Sequence, residues 1–363
     1  MFNIHLLPAS FGDSILIEYG CRESPNYILI DGGPYYAFDE IDAVLRSDYP
    51  HIKEIELLVV THIDIDHIDG IIVMLNQDQI PYKINEIWFN GYDQLNALIK
   101  DELGGKQGEF LGALIEHKNL THNHTYFNGN PIIVTDDKLP VVQLKGGMEL
   151  TLLSPTAESL KELKNDWEDT LEEVKWKPGD KAGSLIKLKK DHRYEYEPKD
   201  VLGDFDFDDL VSTTFEVDKS AANRSSIAFL AEYNGKSCLF AGDTPTDLLL
   251  ESLSRIDKYD TLVIDAWKLA HHGSNKSTHA EIMEKIECKK MLISSDGKKY
   301  EHPNQELIAK LIHLNGPNVH LFFNYKSKFN NDWDDDYLKD KHEYECSFPE
   351  DNESGIKVEL TGD

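Results

Sequence analysis

The stretch Ile55-Glu56-Leu57-Leu58-Val59-Val60-Thr61-His62-Ile63-Asp64-Ile65-Asp66-His67-Ile68-Asp69-Gly70 joins an apolar run to a burst of imidazoles and carboxylates. A run of that length and β-branched content reads as a buried strand. The apolar positions Ile68, Ile71, Ile72 and Leu75 then recur at helical spacing, so the polar cluster occupies the loop between strand and helix. Two histidines and two aspartates within six residues at the end of a buried strand point to a metal site. Alternation places His62 and Asp64 to one side, while Asp66 and His67 reach elsewhere, so one loop can serve two metal positions.

Upstream, Phe2 to Leu7, Ser14 to Tyr19 and Tyr27 to Ile30 read as an antiparallel meander. An amphipathic segment follows at Phe38, Ile41, Val44 and Leu45, and a polar loop is expected at Arg22 to Asn26. Downstream strands are expected at Ile87 to Phe89, Val141 to Leu144 and Glu149 to Leu153. Ser154-Pro155 should then start a helix carrying Leu160, Leu163, Trp167, Leu171 and Val174. Ser226 to Glu232, the turn Asn234-Gly235 and Ser237 to Ala241 form a hairpin signal, after which Thr244-Pro245 opens another helix. Strands at Thr261 to Leu269 and Met291 to Ser294 alternate with helices at Thr278 to Ile286 and Pro303 to Leu314, the last stopped by Gly316. Two blocks of strands, each with its own helices, predict an α/β fold with two sheets face to face and helices outside.

The 363 residues fit one large domain, and the four cysteines form no C-x-x-C pair, as expected in a reducing, cytoplasmic compartment. Neither a signal peptide nor an apolar stretch of membrane-spanning length is evident, so no membrane insertion is expected. A net charge of −29 argues against an extended nucleic-acid groove. The short cationic stretch Lys187, Lys189, Lys190 and Arg193 reads as a solvated loop. Residues 175–219 are rich in charge and lack a clear period, which suggests a mobile insertion; residues 326–363 read as an acidic extension ending in a strand at Ile356 to Leu360.

Polar clusters recur where predicted strands end: Asp31-Gly32-Gly33, the His62 cluster, Gly242-Asp243, His271-His272-Gly273-Ser274 and, one loop further on, His302. Ligands drawn from several strand ends make a rigid cleft, and Asp243 could bridge two ions roughly 3.5 to 4 Å apart. Calcium-loop and H-E-x-x-H patterns are absent. His122-Asn123-His124 lies in a stretch rich in Asn, Thr and Gly, and reads as a surface loop.

With these pieces in hand, the chain resembles the metallo-β-lactamase superfamily, and within it the hydrolase domain of ComEC-like DNA-internalisation competence proteins. The matching pieces run in order: Gly12-Asp13-Ser14, Leu29 to Gly33, His62-x-Asp64-x-Asp66-His67, Asn223-Arg224-Ser225-Ser226, Ala241-Gly242-Asp243, His271 to Ser274 and His302-Pro303. The resemblance covers about residues 1–325 and implies an αββα sandwich of two mixed β-sheets flanked by helices, with the cleft along one edge. It implies two divalent ions held by His62, Asp64, Asp66, His67, Asp243 and His302. Asp31, Asn223, Ser225 and Ser226 would support them from behind. His271 or His272 would ligate or donate a proton, and Asp66 would orient the attacking water. Asp64 stands where the superfamily's commonest pattern has His, and the Asn223 to Ser226 stretch replaces a further histidine ligand; the ComEC-like branch shares both changes.

A carboxylate-rich set favours manganese, magnesium or iron relative to zinc; manganese or zinc is the expected pair of choices. With three carboxylates and a hydroxide, the charge of two divalent ions sums to about zero. Lys268, Lys276 and Arg224 could restore the attraction for a phosphodiester. The leading expectation is therefore a metal-dependent phosphodiesterase or nuclease working through metal-activated hydroxide, on a small-molecule or nucleic-acid substrate. A metallohydrolase of an ester, lactone or thioester is the first alternative. The second is a sensor or assembly component that binds a protein partner through its acidic insertions.

Overall fold

Strict alternation along the first strands sets the layers. Phe2, Ile4, Leu6, Ile15, Ile17, Tyr19, Ile28, Ile30, Leu57 and Val59 enter one apolar cluster, while the intervening Leu16, Leu29, Leu58 and Val60 enter another. A strand buried on both faces has a layer above and a layer below it. In this computed structural model, which describes residues 1–98, 106–173, 175–188, 207–256, 261–350 and 355–360, those layers are a second sheet and a set of helices.

The first sheet has six strands in the order Ile356–Glu359, Phe2–Leu6, Ile15–Cys21, Ser24–Ile30, Leu57–Val59 and Ile87–Trp88. Its meander is antiparallel, and Leu57–Val59 then joins Ser24–Ile30 in parallel. The second sheet has eight strands: Tyr344–Ser347, Val319–Phe323, Ile286–Ile293, Leu262–Lys268, Lys236–Phe240, Ala228–Tyr233, Glu149–Ser154 and Val141–Gln143. It is parallel from Lys236–Phe240 to Tyr344–Ser347 and antiparallel beyond. Helices Phe38–Asp48 and Ile65–Leu75 pack on the outer face of the first sheet. Thr246–Ile256 and Gln305–Asn315 supply Leu249, Leu253, Leu307 and Ile308 to the core of the second. This is the αββα arrangement expected from the sequence.

The hairpin at Asn234-Gly235 forms with both residues at positive φ, as its dipeptide demands. Other boundaries differ. The first hairpin is tighter than the polar loop foreseen, because Ile15–Cys21 and Ser24–Ile30 leave only Arg22 and Glu23 between them. The helix after Ser154-Pro155 begins later, at Ala157. The expected helix over Thr278 to Ile286 shrinks to Ala280–Met283, since Ile286 already starts a strand in register with Leu262. Its Ile286, Cys288 and Met291 are all core residues, so tertiary pairing overrides the local helical signal.

Within residues 175–219, the described parts form helices Lys181–Leu188 and Phe207–Ser212, and Phe207 is buried against Trp333. Lys189, Lys190, Arg193 and the acidic run from Asp204 to Asp206 lie outside the described residues. The acidic tail is part of the sandwich, giving Tyr344–Ser347 to one sheet and Ile356–Glu359 to the other. None of the described helices is long and apolar enough to cross a membrane.

Candidate metal centre

Loops from both sheets meet at one edge. The backbone stitches them together: Ile227 N–H donates to Thr61 O at 2.9 Å, His271 N–H to Gly242 O at 2.9 Å, and Asp13 N–H to Asp66 O at 3.1 Å. Two glycine positions allow this proximity. A Cβ on Gly12 would collide with the carbonyl of Asp66, and one on Gly70 with the carbonyl of Gly32. His271 and His272 sit consecutively at φ 49° and 56°, a left-handed turn that costs non-glycine residues energy and recurs at functional sites.

Four histidines share one orientation rule. The Nδ1 of His67 lies 2.8 Å from Asp31 Oδ2, and that of His272 lies 3.1 Å from the carbonyl of Ser294. His271 Nδ1 is 3.1 Å from Asp218 Oδ2 and 3.2 Å from Ser277 Oγ, while His62 Nδ1 is 3.1 Å from Thr61 Oγ1. A carbonyl or carboxylate opposite Nδ1 places the proton there and leaves Nε2 as a lone-pair donor. All four Nε2 atoms come within 4 Å of the Asp243 carboxylate: His67 at 3.3 Å, His271 at 3.7 Å, His62 at 3.8 Å and His272 at 3.9 Å.

Around Asp243 the other carboxylates divide. Asp64 Oδ2 is 3.5 Å from His62 Nε2, and Asp66 Oδ2 is 3.5 Å from His272 Nε2, which in turn lies 3.2 Å from His67 Nε2. The one-sided pairing foreseen for His62 with Asp64 is thus the geometry observed. His62 Nε2 and Asp243 Oδ1 are buried without a hydrogen bond of ordinary geometry. Buried donor atoms left facing each other in this way fit a metal and fit little else.

The imidazoles and carboxylates of the cluster shift one another's proton affinities strongly. Burial resists charging His67, but Asp243 and Asp31 outweigh it and raise its pKa well above the ordinary value. Burial likewise resists charging His272, yet Asp13 and Asp243 push it up to about 9. Burial alone would raise Asp66 and Asp243; the imidazoles hold Asp66 down to about 2 and Asp243 well below the usual carboxylate range. Positive charge is wanted where these side chains converge.

His302 is set back. Its ring centroid lies 5.4 Å from that of His271 and 6.5 Å from that of His272, and its buried Nδ1 has no hydrogen-bond partner. Behind the cluster, Asp31 also accepts from Thr61 N–H at 2.8 Å and Thr61 Oγ1 at 2.7 Å. Ser226 Oγ accepts from Asp243 N–H at 3.0 Å, and Asn223 Nδ2 donates to Asp218 Oδ2 at 2.7 Å. Ser225 turns away, donating to Ala222 O at 2.6 Å.

Sequence reasoning missed two carboxylates. Asp218 lies in the charged segment that reads as an insertion, yet it orients His271. Asp13 Oδ1 is 3.3 Å from His272 Nδ1, and its Oδ2 accepts from Lys268 Nζ at 2.6 Å. That contact corrects the expectation for Lys268, which is buried in an ion pair and turned away from any substrate. Arg224 is also engaged, with Asp247 at 2.9 Å and Glu162 at 3.4 Å. The only signal for Asp13 was its Gly-Asp-Ser context; Asp218 had none. His122-Asn123-His124 is remote from this chemistry: His122 Nε2 is 2.7 Å from Phe89 O, and the buried Asn123 side chain bonds both backbone groups of Phe89.

No family model matches the chain. A 95-residue stretch is 28% identical to the ComE operon protein 3 of Bacillus subtilis, a match spanning 26% of this chain and only 12% of that protein. Among solved structures, the Zn(2+)-bound PqqB from Methylobacterium extorquens is similar at a TM-score of 0.40 and 10% identity, over 99% of this chain and 100% of that one. The short form of human tRNase Z is similar at a TM-score of 0.40 and 11% identity, over 99% of both chains. Likenesses this loose identify neither a metal nor a substrate. The chain's own sheet order is the αββα sandwich that the resemblance to the metallo-β-lactamase superfamily implies, with its polar loops gathered on one edge.

Proposed function

We propose that the chain is a metal-dependent hydrolase of phosphodiester bonds with a dinuclear centre. The observation that carries this reading is the convergence of four histidine Nε2 atoms on the buried Asp243 carboxylate, each ring fixed from behind at Nδ1. In this reading His62, Asp64 and His271 would hold one ion and Asp66, His67 and His272 the other, with Asp243 available to either. His272 rather than His302 then closes the second set. The donor set of three carboxylates and four imidazoles suits manganese, iron or zinc. When bound, the ions supply Lewis acidity and an activated water at neutral pH.

The protein's own groups do the rest. Asp31 and the carbonyl of Ser294 keep the rings of His67 and His272 from rotating, and Asp218 does the same for His271. Asp66, at the first turn of the helix Ile65–Leu75, is steadied by the helix dipole and would orient water. His302, set back with an unpartnered Nδ1, is kept neutral by burial and by the neighbouring His271 and His272, so it would border the centre without serving as the acid. Turnover of bis(p-nitrophenyl) phosphate with added manganese or zinc, lost in Asp243→Asn, is the expected result. Consumption of p-nitrophenyl acetate in its place would move the substrate class to acyl compounds, and unchanged phosphodiester turnover in the Asp243 variant would refute the site.

A further inference from the structure

A cavity of about 370 Å³ opens beside the Asp66 side of the cluster, lined by Asp64 and Asp66 and, facing them, Lys106, Trp167, Ser220 and Tyr300. That size suits one small ligand and not a duplex groove. Tyr300 of this lining belongs to an aromatic group that continues beyond the cavity. Tyr300 and Tyr36 remain 45% and 44% exposed, both packed on Phe11 with ring centroids 5.7 and 6.1 Å away. Lys299 Nζ lies 4.4 Å from the Phe11 ring and 4.7 Å from that of Tyr300. The ring of Tyr300 is 6.0 Å from that of His302, so this ledge borders the candidate centre directly. Aromatic faces beside a cation, in contact with a cluster built for divalent ions, match a ligand that is flat at one end and anionic at the other.

We propose that the exposed rings of Tyr36 and Tyr300, backed by the buried Phe11, form a ledge that seats the base of a single nucleotide unit, with its phosphate over the centre. This rests on the phosphodiesterase reading and narrows its substrate to nucleotide-like diesters. The net charge of −29 repels long polyanions, which leaves the mononucleotide unit as the recognised feature.

Binding separates this inference from the reading beneath it. Adenosine 5′-monophosphate and ribose 5-phosphate share their phosphate and differ in the base, and both can be titrated into the metal-loaded protein by calorimetry. Base stacking on an aromatic ring predicts about tenfold tighter binding of the nucleotide. Tyr300→Ala should bring the two affinities within about twofold by weakening the nucleotide alone, while Tyr300→Phe keeps the preference. Equal affinities in the parent protein, no measurable nucleotide binding, or a preference that survives Tyr300→Ala would overturn the ledge. Turnover of bis(p-nitrophenyl) phosphate without a base preference sinks only the ledge; a base preference without turnover sinks only the hydrolase.

Discussion

Replacing Asp31 by Asn changes almost no volume but turns an acceptor shared by Thr61 Oγ1 and His67 Nδ1 into a donor. The carboxylate takes three donors, Thr61 N–H at 2.8 Å, Thr61 Oγ1 at 2.7 Å and His67 Nδ1 at 2.8 Å. An amide can still accept from the Thr61 backbone through one oxygen, so its nitrogen must turn toward His67. There it donates to Nδ1 and drives the ring proton to Nε2, the atom that faces Asp243 at 3.3 Å. Of the two proposed ions, one would lose a ligand while the other would keep its full set. Removing a support of this kind costs about 10- to 100-fold in metal affinity, or about 1.4 to 2.7 kcal/mol. Competition with a chromophoric chelator, analysed for two sites, should show one dissociation constant weakened by that factor and the other changed less than about threefold. Ring nitrogen chemical shifts of His67 would report the tautomer independently. If both sites bind as in the parent protein, or if both fail together, the division of the centre into two halves is wrong.

Asp243→Asn should fall hardest, because that carboxylate lies within 4 Å of all four rings; elemental analysis should drop from two metal equivalents to one or none. Lys268→Met strands the Asp13 carboxylate in a site where both partners are almost fully buried, and urea denaturation should show a loss of about 3 to 5 kcal/mol. A loss below about 1 kcal/mol would mean the pair is not desolvated as described. Gly70→Ala forces a methyl group into the carbonyl of Gly32; overpacking of this kind costs roughly 1 to 3 kcal/mol, visible as a lowered Tm, and the metal loop should loosen with it.

The strand and helix around the His62 cluster were legible because periodicity and burial agree there: Leu57 to Val60 alternate between two apolar clusters, and Ile68, Ile71, Ile72 and Leu75 face one of them. The convergence of His62, Asp66, His67, Asp243 and His272 was legible as an ordered set of loops following strands. What the sequence hid has physical causes. Asp218 acts from a charged segment with no periodic signal, and only the tertiary fold brings it within 3.1 Å of His271. Lys268 read as a cation free to attract a phosphodiester because a single lysine carries no mark of burial; its partner Asp13 is 255 residues away. The approach of His272 to Asp243 rests on the left-handed turn at His271 and His272, which no residue-level propensity announces. The tail looked like an acidic appendage because Ile356 and Val358 alternate with exposed charges, the pattern of an edge strand as much as of a solvated extension.

That edge strand has a consequence for how the protein is made. Asn3 pairs with Glu359 and Leu6 with Ile356, so Phe2–Leu6 is made about 350 residues ahead of its outer neighbour and waits for it through that stretch of synthesis. During that interval Phe2–Leu6 presents an unsatisfied row of amides and carbonyls, the kind of border along which nascent chains stick to one another. Shortened products that stop before Ile356 should therefore accumulate as aggregates even though every metal-facing side chain is already present in them.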